Sequence, residues 1–305
     1  MQLTKLRAAP VRQAEVPPCA PADQTDGGTA SQLIRSVRQT CGEAGEGLRR
    51  RRRIRKIVII LAVAFVVGQV PWWMEPIWLF SVFQTVAPSI VWRVDTRQPF
   101  VALSFDDGPH PIHTPQVLAI LAQHQAHATF FLIGERAAAH PDVVAAIKAG
   151  GHEVGNHYLH RGTTLGAGRS FRTDLVRAEQ AIGLSGSLKL FRPPSGLAWP
   201  WQLREARELG YVAVLGSAYP HDPGHPPVAY IKWLVKKNLV PGAIVILHDG
   251  ISDPRRSIQA LPEILAEGQR RGIHFVTVGA LLGSVGAAEQ ADAADEAQGG
   301  TRTAS

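Results

Sequence analysis

Asp106 and Asp107 stand side by side at the end of an apolar run, Phe100 to Phe105, and are followed at once by Gly108-Pro109. Val101, Leu103 and Phe105 alternate as in a strand and the Gly-Pro step stops it. The pair is therefore expected at a strand tip, displayed at an edge rather than buried. Two carboxylates this close do not both stay ordinary: either one titrates high or a cation sits between them. A cation calls for histidines elsewhere, and the chain has them in His157-Tyr158-Leu159-His160 and in Leu247-His248-Asp249. Asp-Asp-Gly-Pro is also ordinary turn chemistry, so the pair alone leaves a capping or turn role open.

The elements that must hold these residues come from the rest of the 305-residue chain, which is 45% apolar and has ample material for a core. Its net charge of +7 resides in residues 1–56, which carry 12 Lys and Arg against 5 Asp and Glu; residues 57–305 are neutral, with 20 of each sign. The body thus lacks the net basic charge of a nucleic-acid domain, and no nucleic-acid partner is expected. Both cysteines, Cys19 and Cys41, precede residue 57, which excludes thiolate metal ligation in the body.

Arg49 to Lys56 holds seven cations in eight residues and abuts Ile57 to Val70, fourteen residues without a charge, followed by Pro71-Trp72-Trp73-Met74. Read as residues 57–74, this is a helix of roughly 27 Å at ~1.5 Å per residue, just enough to cross a hydrocarbon core. Cations before it and tryptophans after it orient the N-terminus toward the cytoplasm and the body outside. A cleavable signal would need an n-region of more than fifty residues, and a core helix would hardly follow such a cationic block. The expected organisation is a basic cytoplasmic tail (1–56), a single membrane anchor (57–74), an interfacial linker (75–92), a body (93–282) and a polar tail (283–305). Residues 77–92 contain a second apolar stretch, but Gln84, Thr85, Pro88 and Ser89 interrupt it, and it reads as an interfacial helix rather than a second span.

Within the body, strand-like runs at 100–105, 128–133, 152–155, 188–191, 211–215, 243–247 and 274–278 alternate with helix-like stretches at 114–125, 135–149, 170–182, 200–209, 228–238 and 257–271. Alternating βα units mean a parallel sheet. About 190 residues is short for a full eight-fold barrel of ~250, so the expected fold is α/β, a distorted, trimmed (β/α) barrel of parallel strands preceded by one transmembrane helix. Asp106-Asp107, His157, Arg192 and His248-Asp249 each follow a strand directly, at the face where catalytic groups converge in such folds.

Four motifs, Ser104-Phe105-Asp106-Asp107-Gly108-Pro109, Gly155-Asn156-His157 to His160, Phe191-Arg192-Pro193-Pro194-Ser195-Gly196 and Leu247-His248-Asp249, resemble in order and spacing those of the polysaccharide deacetylases of carbohydrate esterase family four. The resemblance spans about residues 93–280. It implies a metal-dependent deacetylase with a carbohydrate substrate: Asp107, His157 and a second histidine as ligands of a divalent metal, zinc by its nitrogen and oxygen donors; Asp106 as general base; Arg192 holding Asp106; His248 as the acid that protonates the leaving amine; and a backbone N–H at Ser195 for the oxyanion.

The sequence also departs from the pattern. The position four residues after His157, where the family has its second histidine, is Arg161, so the expected third ligand is His160, brought in by a rearranged loop. Ser195 stands where tyrosine is usual. Gly216 to Pro223 replaces a tryptophan-and-aspartate motif, and there Asp222 is expected to orient His248, a Pro-bounded turn being the plainer reading. Trp199 and Trp201 are candidates for stacking on a sugar, though barrel packing would explain them as well. The expected activity is removal of acetyl groups from N-acetylhexosamine units of a chitin-like chain or peptidoglycan by a membrane-anchored, extracytoplasmic enzyme. The alternatives are a deformylase or deacylase of a lipid-linked sugar, and a catalytically weak carbohydrate-binding protein.

Overall fold

The computed structural model describes residues 74–284, together with Val58. Apart from Val58 and Met74, the expected anchor at 57–74 lies outside the described residues, as do the tail expected at 1–56 and most of that at 283–305. Among the described residues no helix is long and apolar enough to cross a membrane. The chain divides after Gly68 into two units, and the strands and the candidate site lie in the unit that begins at Gln69.

Among the described residues eight strands form one sheet: β1 (Ile90–Val91), β2 (Phe100–Gly108), β3 (Thr129–Leu132), β4 (Glu153–Asn156), β5 (Lys189–Phe191), β6 (Tyr211–Val214), β7 (Ile244–His248) and β8 (His274–Val276). Their order is β1-β6-β5-β4-β3-β2-β7, with β8 beside the start of β2, and every pairing is parallel. Parallel neighbours require long crossovers, and the helices Pro141–Ala149, Phe171–Ile182, Pro200–Glu208 and Val228–Lys237 supply them. Past β6 the chain runs on until Ala218 bridges Val245 of β7, with the Ser217 N–H donating to the Ile244 carbonyl at 3.0 Å. This one bridge brings the two sides of the sheet together as an incomplete (β/α) barrel.

Two departures from the sequence pattern have local causes. The stretch expected as one helix at 135–149 is two, Gly134–Ala139 and Pro141–Ala149, because Pro141 disfavours helical backbone at His140 and then serves as the first residue of the next helix. Residues 75–92 contain a helix, Ile77–Val86, and the edge strand β1, which pairs with β6; the Gln84 side chain fastens the two by accepting from the Trp92 N–H and donating to the Ile90 carbonyl. Trp78, Val82 and Val86 of this helix remain exposed.

The period of two along β2 divides its side chains. Val101, Leu103 and Phe105 join the main apolar cluster with Phe130, Leu132, Val245 and Leu247, packed with residues of the surrounding helices such as Leu121 and Leu261. Ala102 joins a second cluster with Phe131, Leu190, Val214 and Ile244, so Ser104 and Asp106 continue its face toward the C-terminal strand ends.

Close approach at the closing bridge demands glycine at 216, where a Cβ would lie 2.7 Å from Ile246 Cγ1 and 2.8 Å from the Ile244 carbonyl oxygen. Gly216→Ala should therefore cost about 1–3 kcal/mol by overpacking. Gly166→Ala, where nothing lies within 4 Å, is the control. Thermal unfolding of both variants checks this; equal midpoints would show that the bridge is not tightly packed.

Candidate active site

A regular strand would send two neighbouring side chains to opposite faces. At the tip of β2 the pairing with β3 shifts register, Asp106 opposite Phe131 and Gly108 opposite Leu132, leaving Asp107 as the extra residue of a bulge. Asp107 takes a left-handed backbone (φ 66°), which aspartate tolerates better than most residues. Arg136 braces the turn by donating to the Asp107 carbonyl at 2.6 Å and to the Gly250 carbonyl. The expectation that the pair is displayed rather than buried needs correction: Asp106 is only 4% exposed, and the Asp107 side chain 18%.

Asp106 is buried because its partner is. Arg192, 1% exposed, follows β5 and lies inside the barrel with its guanidinium 4.0 Å from the centre of the Phe131 ring. It donates to Asp106 Oδ1 at 2.6 Å, to Ser104 Oγ at 2.8 Å, and to the carbonyls of Val214 and Leu215 at 3.2 and 2.9 Å. Burial works against the guanidinium charge, and Asp106 offsets it.

The backbone of Arg192 sets the next residue. His157 follows β4, and its Nδ1 lies 2.8 Å from the Arg192 carbonyl oxygen. A carbonyl only accepts, so Nδ1 carries the proton and Nε2 faces Asp107 Oδ1 at 3.4 Å. Two acceptors at that separation need positive charge between them, either a proton or a metal ion. Two donors on one tetrahedral zinc, each about 2.0–2.1 Å from it, stand about 3.3 Å apart, so the pair fits. Fixing the far nitrogen by a carbonyl is also how ligating histidines are usually oriented. Burial raises the Asp107 carboxyl, but His157, with His248 and Arg136, brings it down to about 2.

His248, the last residue of β7, completes the opposite wall. Its Nδ1 lies 2.9 Å from Asp222 Oδ1, while Asp222 Oδ2 accepts from the His248 backbone N–H at 2.9 Å and from Ser257 Oγ at 2.6 Å. Burial opposes charge on His248, yet Asp222, then Asp106 and Asp107, push its pKa up to about 9.

The structure does not bring His160 to this group. After His157 the chain turns at Tyr158 (φ 74°), whose ring stacks on Phe171, and Leu159 enters the core. The carbonyls of both residues accept from Gly134 and Glu135 at the start of a helix, leaving His160 half exposed with Nδ1 2.7 Å from Glu135 Oε1. Among the described residues no three His, Cys, Asp or Glu side chains are grouped to hold an ion. Of the other candidates, Ser195 is exposed in a left-handed turn (φ 60°) and Trp199 is 50% exposed, its indole N–H donating to the Leu165 carbonyl. Trp201 instead packs edge-on against Phe171.

Ser104, Arg136 and Ser257 were not singled out by sequence. Ser104 was within reach of it, lying two residues before Asp106 on the same strand face. Arg136 and Ser257 are far from their partners along the chain and carry no local signal.

A sequence profile described as polysaccharide deacetylase matches residues 93–214. A peptidoglycan-N-acetylglucosamine deacetylase of Bacillus cereus is 38% identical over 198 residues, 63% of this chain and 92% of the relative. The chain belongs to the polysaccharide deacetylase family. A chitooligosaccharide deacetylase of Sinorhizobium fredii is 36% identical over 162 residues, 52% of this chain and 75% of that one. The crystal structure of a peptidoglycan N-acetylglucosamine deacetylase superposes with a TM-score of 0.61 at 30% identity, over 65% of this chain and 95% of that one. The resemblance to the polysaccharide deacetylases is thereby borne out, and the chain is an amide hydrolase of this family.

In this deacetylase the raised His248 pKa has a measurable sign. Lying above its ordinary value of 6.5, it contributes stability that is fully present below about 6.5 and is lost as pH rises through about 9. An NMR titration should place the His248 midpoint near 9, falling by more than about one unit in Asp222→Asn. An ordinary midpoint in the wild type would show that Asp222 does not hold a charged imidazole.

Proposed function

We propose that this deacetylase is a metal-dependent enzyme that hydrolyses the acetamido group of N-acetylated hexosamine units, in peptidoglycan or a chitin-like oligosaccharide. The observation that carries the reading is the convergence of Asp106, Asp107, His157, Arg192 and His248 at the C-terminal ends of neighbouring parallel strands, with Asp222 behind His248. The substrate class follows the names of the relatives, and the exposed Trp199 and Leu197 beside Ser195 offer an apolar face for a sugar ring.

Asp107 and His157 would hold the divalent metal, zinc by the mix of donors, with water or substrate filling the remaining positions. When bound, the metal supplies Lewis-acid polarisation of the acetyl carbonyl and acidifies water. Asp106, held by Arg192, takes a proton from the attacking water as its oxygen bonds to the acetyl carbon. The Ser195 N–H donates to the carbonyl oxygen as charge develops there. His248, kept protonated by Asp222, gives its proton to the nitrogen as the C–N bond breaks, releasing acetate and an amine. The pairing of His160 with Glu135 favours a second reading, a weakly catalytic carbohydrate-binding member in which metal affinity is low.

The proposed setting is a cell membrane, with residues 57–74 as the single anchor and the body outside. The cations before that segment and the tryptophans at its far end support it, as does the exposed stripe of Trp78, Val82 and Val86 that follows.

The purified chain should release acetate from N-acetylglucosamine oligomers or peptidoglycan and lose that activity with chelator. Asp106→Asn should keep bound metal and lose about 10²–10⁴-fold in turnover. Asp107→Ala should lose both metal and turnover. A wild type that binds metal only weakly and binds sugar without cleaving it would establish the second reading, and an active Asp106→Asn would remove the base from Asp106. In membranes the same chain should resist carbonate extraction; release of the intact chain would disprove the anchor.

A further inference from the structure

Glu75 is the only charged residue between Lys56 and Arg93, and it precedes the part of the chain that the family profile matches. An acid alone in so apolar a stretch would be expected to face water. It is instead 6% exposed, in a left-handed backbone (φ 43°) that glutamate seldom adopts. Its Oε2 accepts from the Tyr219 backbone N–H at 2.6 Å, and its Oε1 lies 3.6 Å from His221 Nε2. Lys237 anchors the same spot by donating to the Met74 carbonyl at 2.5 Å. Tyr219 and His221 belong to the turn that delivers Asp222. The Tyr219 ring lies between two imidazoles, 4.6 Å from that of His221 and 5.9 Å from that of His248. His221 is left-handed (φ 53°) and leads directly into Asp222, the partner of His248.

We propose that Glu75 is a positioning residue of the active site: through the Tyr219 N–H and His221 it holds the turn that sets Asp222 against His248. The segment immediately following the expected anchor is then part of the catalytic machinery. The arrangement is costly to maintain. Desolvation raises the Glu75 carboxyl to about 8 although the Tyr219 N–H and Lys237 oppose it, and a group with no role beyond solubility would not be kept there.

The inference rests on the deacetylase reading, so the test has one readout in catalysis and one outside it, both on the full chain. Glu75→Ala should lower kcat by about tenfold or more, with KM within about twofold and metal content unchanged. Hydrogen exchange at the Tyr219 amide should quicken by at least about tenfold. Glu75→Gln keeps an acceptor for that amide and should restore slow exchange and kcat to within about threefold of wild type. Should Glu75→Ala fail to fold, Glu75→Gln decides alone, because a variant that folds but loses turnover or amide protection contradicts a tether made by the acceptor. Unchanged exchange in Glu75→Ala overturns the inference whatever the activity. Unchanged kcat in Glu75→Ala overturns it while leaving the deacetylase reading intact, and a wild type without acetate release counts against that reading alone.

Discussion

A guanidinium sealed inside a barrel must be neutralised and have its donors satisfied, and much of the site follows from how Arg192 meets that demand. Its partners come from two strands and the chain beyond: Asp106 and Ser104 of β2, the Val214 carbonyl of β6 and the Leu215 carbonyl just after it. Breaking a buried pair of this kind by removing one partner costs about 3–5 kcal/mol, because the remaining charge cannot return to water. The geometry around Asp106 is therefore enforced by energetics larger than those of any surface contact. The same residue acts a second time through its backbone, since its carbonyl fixes the tautomer of His157 and turns Nε2 toward Asp107. Asp106 and the Asp107–His157 pair are thus set by opposite ends of one arginine.

A division of labour between the two aspartates follows from the bulge. Asp106 remains in register with β3 and points along the inner face to Arg192, whereas Asp107 is the extra residue and is freed to meet His157. Without that shift, adjacent carboxylates on a strand would diverge. On the far wall, Asp222 does for His248 what Arg192 does for Asp106, using one oxygen for the imidazole and the other for the backbone and Ser257. Asp106 and His248 are thus each held in place by a buried partner of opposite charge.

Much of this was legible in the sequence because period-two runs, Gly-Pro stops and alternating helical stretches are local signals. Each of the seven strands expected from 100 to 278 overlaps an observed strand, β2 to β8. The edge strand β1 was not legible, since two residues carry no periodicity and its pairing partner lies more than a hundred residues away. Burial of Asp106 is not legible from the strand end alone, because the arginine that encloses it lies just past β5. His160 shows the limit most clearly. A single residue's displacement in a loop looked easy to absorb, but Tyr158 and Leu159 are committed to the core and their carbonyls to a helix start, so the side chain after them is directed outward to Glu135. Spacing along a chain does not record which intervening residues the core has already claimed.

The claim on which the account stands is that Asp106 and Arg192 are energetically one unit. A double-mutant cycle on urea unfolding, with Asp106→Leu, Arg192→Met and the pair together, measures this directly. Each single change should cost about 3–5 kcal/mol and the double change less than their sum by a coupling of about 2–3 kcal/mol. Additivity to within about 0.5 kcal/mol would contradict it, because the buried arginine would then be tolerated without its carboxylate.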